Sequence, residues 1–356
     1  MESHDFWHQL PRPIIGLSPM DDVTDHPYRH IMATYGRVDV TYTEFTSVEG
    51  VCHGAEKLLL DFLFDETQRP IVGQIYGTTP DYFRQTTIVL CALGFDGVDI
   101  NMGCPAKNVA HSGAGAALIK NPTLAVQIIA AVKQGIQEWH NGIEVRDCPD
   151  LTPEIVAKVM VRHQALPAKY QARDRIIPWS VKTRVGFNEP VIKEWIPTLL
   201  ATQPAAIALH GRTLKQRYTG FANWDLIAEA AELVHQTQTL ILGNGDIASY
   251  EDAQVKIAQT GVDGVLIGRA SWGNPYVFWP PDQKPTQPTL FQIALEHAQL
   301  YEATYQTADR YMFLPMRKNL GWYARGFPQA AEVRRELFQT NTAAEVKTIL
   351  EKYGLL

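Results

Sequence analysis

The sequence predicts an α/β fold, a (β/α)8 TIM barrel followed by an all-helical C-terminal unit, on three observations. Eight short, mostly apolar runs recur between residues 13 and 269, each followed by turn residues. Between most of them lie stretches with apolar residues three and four apart, the spacing of amphipathic helices. Beyond the last run comes the proline-rich "WPPDQKPTQP" from Trp279, and the chain after it reads as helix. A doubly wound open sheet is the other architecture that this alternation allows.

The first four runs are "PIIGLSPM" from Pro13, "VDVTYTEF" from Val38, "PIVGQIYG" from Pro70 and "GVDINMG" from Gly97. The second four are "WSVKTRVG" from Trp179, "AAIALHGR" from Ala205, "TLILGNGD" from Thr239 and "GVDGVLIGR" from Gly261. Such runs suit strands covered on both faces, as in a closed parallel sheet. Helical spacing is clearest in "PTLAVQIIAAVKQGIQEW" from Pro122 and "WDLIAEAAELVHQ" from Trp224. The interval from Gly97 to Trp179 is more than twice any other, which predicts an insert at about residues 141–178. Within it, Thr152 is placed to N-cap a helix with Pro153 in its first turn. The barrel is therefore expected over residues 1–280 and the helical unit over 285–356.

Composition fits a chain that buries a large core: 356 residues, 46% hydrophobic and 20% charged. The opening "MESHDFWHQLPRP" lacks a basic start followed by an apolar run, and no later stretch is long enough to cross a bilayer. No membrane association is expected, and a monomer in the cytoplasm is. Cys52, Cys91, Cys104 and Cys148 form no CxxC pair, so neither a disulfide framework nor a zinc site is suggested. A net charge of -6 argues against whole-surface attraction to nucleic acid, so local patches carry that question. Two patches stand out. Between Lys158 and Arg175 lie five basic residues and one acidic, either a solvated helix face or an RNA contact. Residues 310–335 hold six basic residues and one acidic, interleaved with Tyr311, Phe313, Trp322, Tyr323 and Phe327, a mix that suits phosphates and bases or a small core.

In a parallel barrel the C-terminal strand ends converge on one mouth. Here those ends carry Pro19 and Met20, Gln74, Asn101 with Cys104, Lys182 with Arg184, His210 with Arg212, Asn244-Gly245-Asp246, and Gly268-Arg269. The loops after the seventh and eighth strands, "GNGD" and "GRASWGNP", have the glycines that let backbone N–H groups approach an anion. A lysine such as Lys182 in an apolar strand is costly to bury unpaired and points to a ligand. His210 is either structural or functional, and Gln74 and Asn101 either cap turns or bond a planar ring. The run "HSGAGAAL" is either close packing or a mobile loop. Cys104, between Gly103 and Pro105 where a strand stops, is expected to be exposed by the turn and available for chemistry.

Read together and in order, "SPMDDVTD", "GQIYG", "DINMGCPAK", "GAGAAL", "VKTRVGF", "LHGRT", "QRYTG", "NGDI" and "GVLIGRASWGNP" resemble the tRNA-dihydrouridine synthase family. The resemblance spans roughly residues 13–340, and "MRKNLGWYARGFP" is similar to that family's helical tRNA-binding domain. It implies an FMN enzyme that uses NADPH to reduce the C5=C6 bond of a uridine in tRNA. Pro19 and Met20 would lie along the flavin, Gln74 and Lys182 would bond its ring, and His210 would sit beside it. Asn244, Gly245, Asp246, Gly268 and Arg269 would hold the ribityl phosphate. Cys104 matches the family's proton donor, with Asn101 and Arg184 toward the uracil. A thiol, with an ordinary pKa near ~8.5, stays largely protonated at neutral pH and can donate to C5. The chain departs from the family at Asp21 and Asp22, where small residues are common, at Asn319, where histidine is common, and in the 141–178 insert. Two other functions stay open: an FMN barrel oxidoreductase acting on a free pyrimidine or small carbonyl compound, and a non-catalytic RNA-binding barrel.

Overall fold

The computed structural model describes residues 5–217, 219–284, 289–308 and 311–356, with the side chains of 107 and 108 left aside. Tyr218 of "QRYTG", residues 285–288 at the start of the expected helical unit, and Arg310 fall outside the described residues. The strands are β1 (Ile14–Leu17), β2 (Thr41–Tyr42), β3 (Thr46–Ser47), β4 (Ile71–Tyr76), β5 (Gly97–Met102), β6 (Trp179–Arg184), β7 (Ala206–His210), β8 (Leu240–Asn244) and β9 (Gly264–Ile267). All pairings are parallel, in the order β1-β9-β8-β7-β6-β5-β4-β2. The two ends of that path meet where Leu17 N–H donates to the Val40 carbonyl at 3.0 Å and Asp39 N–H to the Ile15 carbonyl at 3.1 Å. The result is the expected TIM barrel, and an open sheet is excluded. One expected strand is split: the run from Val38 yields β2 and β3, both paired to β4. Between them Thr43 turns its hydroxyl to the Gln74 N–H at 2.9 Å, which interrupts the ladder.

Inward positions alternate along each strand, and their chemistry changes from one end of the barrel to the other. At the N-terminal end the interior is filled by Ile14, Val40, Tyr42, Val72, Ala206, Ala208, Leu240, Leu242 and Leu266. Two residues further along the same faces come Gln74 after Val72, His210 after Ala208 and Asn244 after Leu242. The apolar plug thus sits below a polar mouth. Trp7, wholly buried on the short Phe6–Gln9 helix, joins the plug from outside the strands. That role was not legible in a helix of four residues, too short to show a period.

The long interval before β6 holds the helices Pro153–Ala165 and Ala168–Gln171, and the first starts as expected, N-capped by Thr152. Its basic residues mostly serve the fold. Arg162 donates to the carbonyls of Leu59 and Phe62, Arg173 to those of Trp139 and Ile143, and Arg175 to that of Phe95. Three of the five cations are therefore spent on backbone carbonyls, which weakens the RNA-contact reading of this segment.

After β9 come the helices Leu290–Tyr305, Leu314–Tyr323, Ala330–Leu337 and Ala343–Lys352. Their core, with Ile293, Met316, Leu320, Val333 and Val346, is continuous with the packing around the barrel. Trp322 stacks on Trp272 of the loop after β9, with centroids 4.5 Å apart and planes 9° from parallel. Lys318 donates to the Asp22 carbonyl in the loop after β1. No single helix among the described residues is long and apolar enough to cross a membrane.

Replacing Trp7 with alanine should leave a cavity at the closed end of the barrel and cost about 3–5 kcal/mol. A denaturant midpoint unchanged from wild type would show that the Phe6–Gln9 helix does not plug the barrel.

Candidate active site

The mouth is organised by a buried carboxylate that sequence reading passed over. Asp99, fully buried on β5, accepts from Gln74 Nε2 on β4 at 2.7 Å and from Ser180 Oγ on β6 at 2.5 Å. Burial pushes its carboxyl up to about 6, against the lowering effect of those two bonds and of Lys182. Like Lys182, the aspartate of "GVDIN" is a charge inside an apolar strand and costly to bury unpaired.

From Asp99 the order passes upward. Gln74 Oε1 receives Asn101 Nδ2 at 2.9 Å, and Asn101 Oδ1 accepts the N–H groups of Gly103 at 3.1 Å and Cys104 at 2.9 Å. Asn101 therefore does cap a turn, the one that carries the thiol, and Gln74 holds Asn101 in place. Arg184 grips the same turn from β6, its Nε donating to the Gly103 carbonyl at 2.5 Å. Cys104 itself is not exposed as expected: only 8% of it is accessible. It packs with Val109 and Ala114, and Phe45, Tyr76 and Ala106 lie against that cluster. The "HSGAGAAL" run supplies the cover, and at Gly115 a Cβ would stand 3.1 Å from the Cys104 carbonyl. Burial raises the thiol pKa, as does Asp21, while the Ala106 N–H, Arg184 and Lys182 act the other way.

On the neighbouring β6, Lys182 Nζ donates to Asn244 Oδ1 of β8 at 3.1 Å, and Asn244 Nδ2 donates to the Leu266 carbonyl at 2.8 Å. Burial and the neighbouring Arg184 pull the ammonium down to about 8. His210 is held neutral, far below its ordinary pKa, by burial and by Arg184, Lys182, Arg212 and Arg269. Beyond β8 the backbone turns through Gly245 at φ 127° and Asp246 at φ 55°. The N–H groups of Asp246 and Ile247 have no acceptor among the described residues. Successive unpaired N–H groups in such a turn form an anion cradle.

Asp246 is saturated by protein donors: Arg212 at 2.9 and 2.6 Å, the Ala222 N–H at 2.8 Å and Arg269 at 2.7 Å. Burial alone would raise its pKa, but the bonds from Arg212 and Ala222 hold it below the ordinary value. Its side chain thus aims two guanidinium groups and leaves anion contact to the backbone. Gly268 faces Met20, whose Sδ would lie 3.4 Å from a Cβ there. Pro19 and Met20 are half-buried beside it.

The mouth therefore brings together a protonated thiol, a partly buried ammonium, a neutral imidazole, two planar amides and an anion cradle with a half-exposed guanidinium, Arg269. These features fit a flat heteroaromatic ligand with a phosphate tail. Asn319 lies away from them, buried on the Leu314–Tyr323 helix with Nδ2 on the Pro315 carbonyl at 3.5 Å. A cavity of about 1220 Å³ lies between the Asp22, Glu44 and Asp61 side of the barrel and Arg317, Arg325 and Arg334.

Similarity in sequence points the same way. A family model described as dihydrouridine synthase (Dus) matches residues 16–145 and 153–354. A probable tRNA-dihydrouridine synthase 2 of Bacillus subtilis is 33% identical over 356 residues, covering 99% of this chain and 97% of that protein. A probable tRNA-dihydrouridine synthase of Staphylococcus aureus is 33% identical over 354 residues, covering 98% and 95%. Among solved structures, a ligand-free DHODH from Eimeria tenella covers 74% of this chain and 80% of its own, at 10% identity and a TM-score of 0.48. With the family model matching most of the chain and these relatives aligned nearly from end to end, the chain belongs to the dihydrouridine synthase family.

Proposed function

We propose that this protein reduces the C5=C6 bond of a uridine in tRNA, with FMN in the barrel mouth and NADPH as reductant. The observation that carries the reading is the gripped thiol of Cys104 at the end of β5, with Lys182 on the adjoining β6 of the same mouth. FMN, when bound there, supplies the hydride chemistry. Everything else falls to the chain.

The amides of Asp246 and Ile247 and the guanidinium of Arg269 would hold the phosphate, with Gly268 leaving room beside Met20. Lys182 and Gln74 would bond the ring edge, and His210, being neutral, would approach it without adding charge. Asn101 and Arg184 fix the Gly103–Cys104 turn from opposite sides, so the thiol is presented in one place. Hydride arriving at C6 of uracil leaves charge at C5, which must be quenched by a proton. A thiol whose pKa is raised keeps that proton at neutral pH, so burial equips Cys104 as an acid. A non-catalytic RNA-binding barrel would have no use for such a thiol.

Changing Cys104 to alanine should lower tRNA reduction by roughly 10²–10⁴-fold while flavin content and NADPH-driven flavin reduction stay at wild-type levels. Wild-type dihydrouridine formation by the alanine variant would remove Cys104 from the mechanism. Lys182 makes FMN affinity depend on pH. Without ligand its ammonium loses its proton at about 8, and a bound anionic group would raise that value. Affinity should thus be level below pH 8 and fall above it, and Lys182→Met should abolish the step. Free FMN in an ultrafiltrate, measured against pH, checks this, and a flat wild-type profile would place Lys182 away from the ligand.

A further inference from the structure

Charge around the mouth is divided. The loops after β1 and β2 carry Asp21, Asp22, Asp25 and Glu44, and residues 19–25 contain no basic residue. On the far half the balance reverses: residues 103–121 after β5 and 211–223 after β7 contain no acidic residue, and the loop after β6 contributes Glu189 alone. The β7 loop presents Lys215, Arg217 and Phe221, all exposed, with Phe221 87% accessible. Neither Lys215 nor Arg217 forms an ion pair among the described residues. Beside them Lys120, also exposed, lies over the Phe187 ring at 4.8 Å.

Both ends of this loop are tied down. Its start is tied to the β6 loop, Leu214 N–H to the Gly186 carbonyl at 3.0 Å and Lys215 N–H to the Phe187 carbonyl at 2.9 Å. Its end is tied by Arg212 to the Gly220 carbonyl at 2.6 Å and by the Ala222 N–H to Asp246 at 2.8 Å. A single exposed aromatic needs no explanation, but one beside two unpaired cations on a loop without acidic residues is suited to a polyanion with flat bases.

Position selects the ligand. Along the path β1-β9-β8-β7 the loop stands three strands from β1, across the mouth from the Leu314–Tyr323 helix that touches Asp22 and Trp272. A nucleotide turned out of its stack enters the mouth with chain running away on both sides. The C-terminal helices stand on one side only. We propose that the β7 loop is a second RNA-contacting shoulder, in which Lys215 and Arg217 meet phosphates and Phe221 stacks a base flanking the reacting uridine. This rests on the reading that the mouth takes a uridine of tRNA.

The test uses full-length, FMN-loaded protein and an unmodified tRNA transcript. The double variant Lys215→Ala/Arg217→Ala should weaken tRNA binding about tenfold or more and reduce the slope of log Kd against log salt by roughly 1–2, as two phosphate contacts are lost. Phe221→Ala should weaken binding by about fivefold or more and leave that slope unchanged, because stacking releases no counterions. Both variants should take electrons from NADPH at the wild-type rate. Unchanged tRNA affinity in both would overturn the proposal. So would a raised KM for NADPH with unchanged tRNA affinity, which makes the loop a dinucleotide site. A wild-type protein that binds tRNA on this shoulder but forms no dihydrouridine would overturn the proposed function alone.

Discussion

The geometry of the mouth depends on one carboxylate that water does not reach. Asp99 joins three neighbouring strands through Gln74, its own backbone and Ser180, and each later step builds on that junction. Gln74 is oriented by Asp99, Asn101 by Gln74, and the Cys104 turn by Asn101. A buried polar chain of this kind is tolerated because its members are satisfied by one another, and a missing member would strand its neighbour without a partner. The apolar plug below and the polar layer above are two readings of the same inward register, separated by one step of the strand.

A second junction ties the helical unit to that layer. Trp322 against Trp272, and Lys318 on the Asp22 carbonyl, touch the loops after β9 and β1. Within the barrel, Tyr28 braces the same β9 loop through a buried bond to Ser271 at 2.8 Å, and Ser271 donates to the Gly268 carbonyl at 2.7 Å. The C-terminal helices are therefore built into the wall of the mouth, and the proline-rich passage before them marks a change of secondary structure within a continuous hydrophobic core.

Much of this was legible in the sequence for identifiable reasons. Strand spans followed from short apolar runs bounded by turn residues, and the convergence of Gln74, Lys182, His210 and Asn244 followed from their position at the ends of parallel strands. What escaped was encoded in single contacts. Thr43 splits the second strand with one hydroxyl, Trp7 plugs the barrel from a helix too short for periodicity, and Asp246 spends its carboxylate on Arg212 and Arg269. The basic residues near the Pro153–Ala165 helix have the charge of a surface patch, yet Arg162, Arg173 and Arg175 cap carbonyls of distant turns. Charge counts along a chain do not say which cations are already engaged.

Cys104 was expected in the open because glycine and proline flank it, and the segment Val109–Gly115 closes over it instead. That cover has a consequence for durability. Peroxide and other oxidants attack the thiolate, and a thiol with a raised pKa presents little of it at neutral pH. The burial that keeps a proton on sulfur also slows its conversion to sulfenic and sulfinic acids. The thiol proposed as the proton donor is thereby shielded from the oxidative damage that an activated, low-pKa cysteine would accumulate in air.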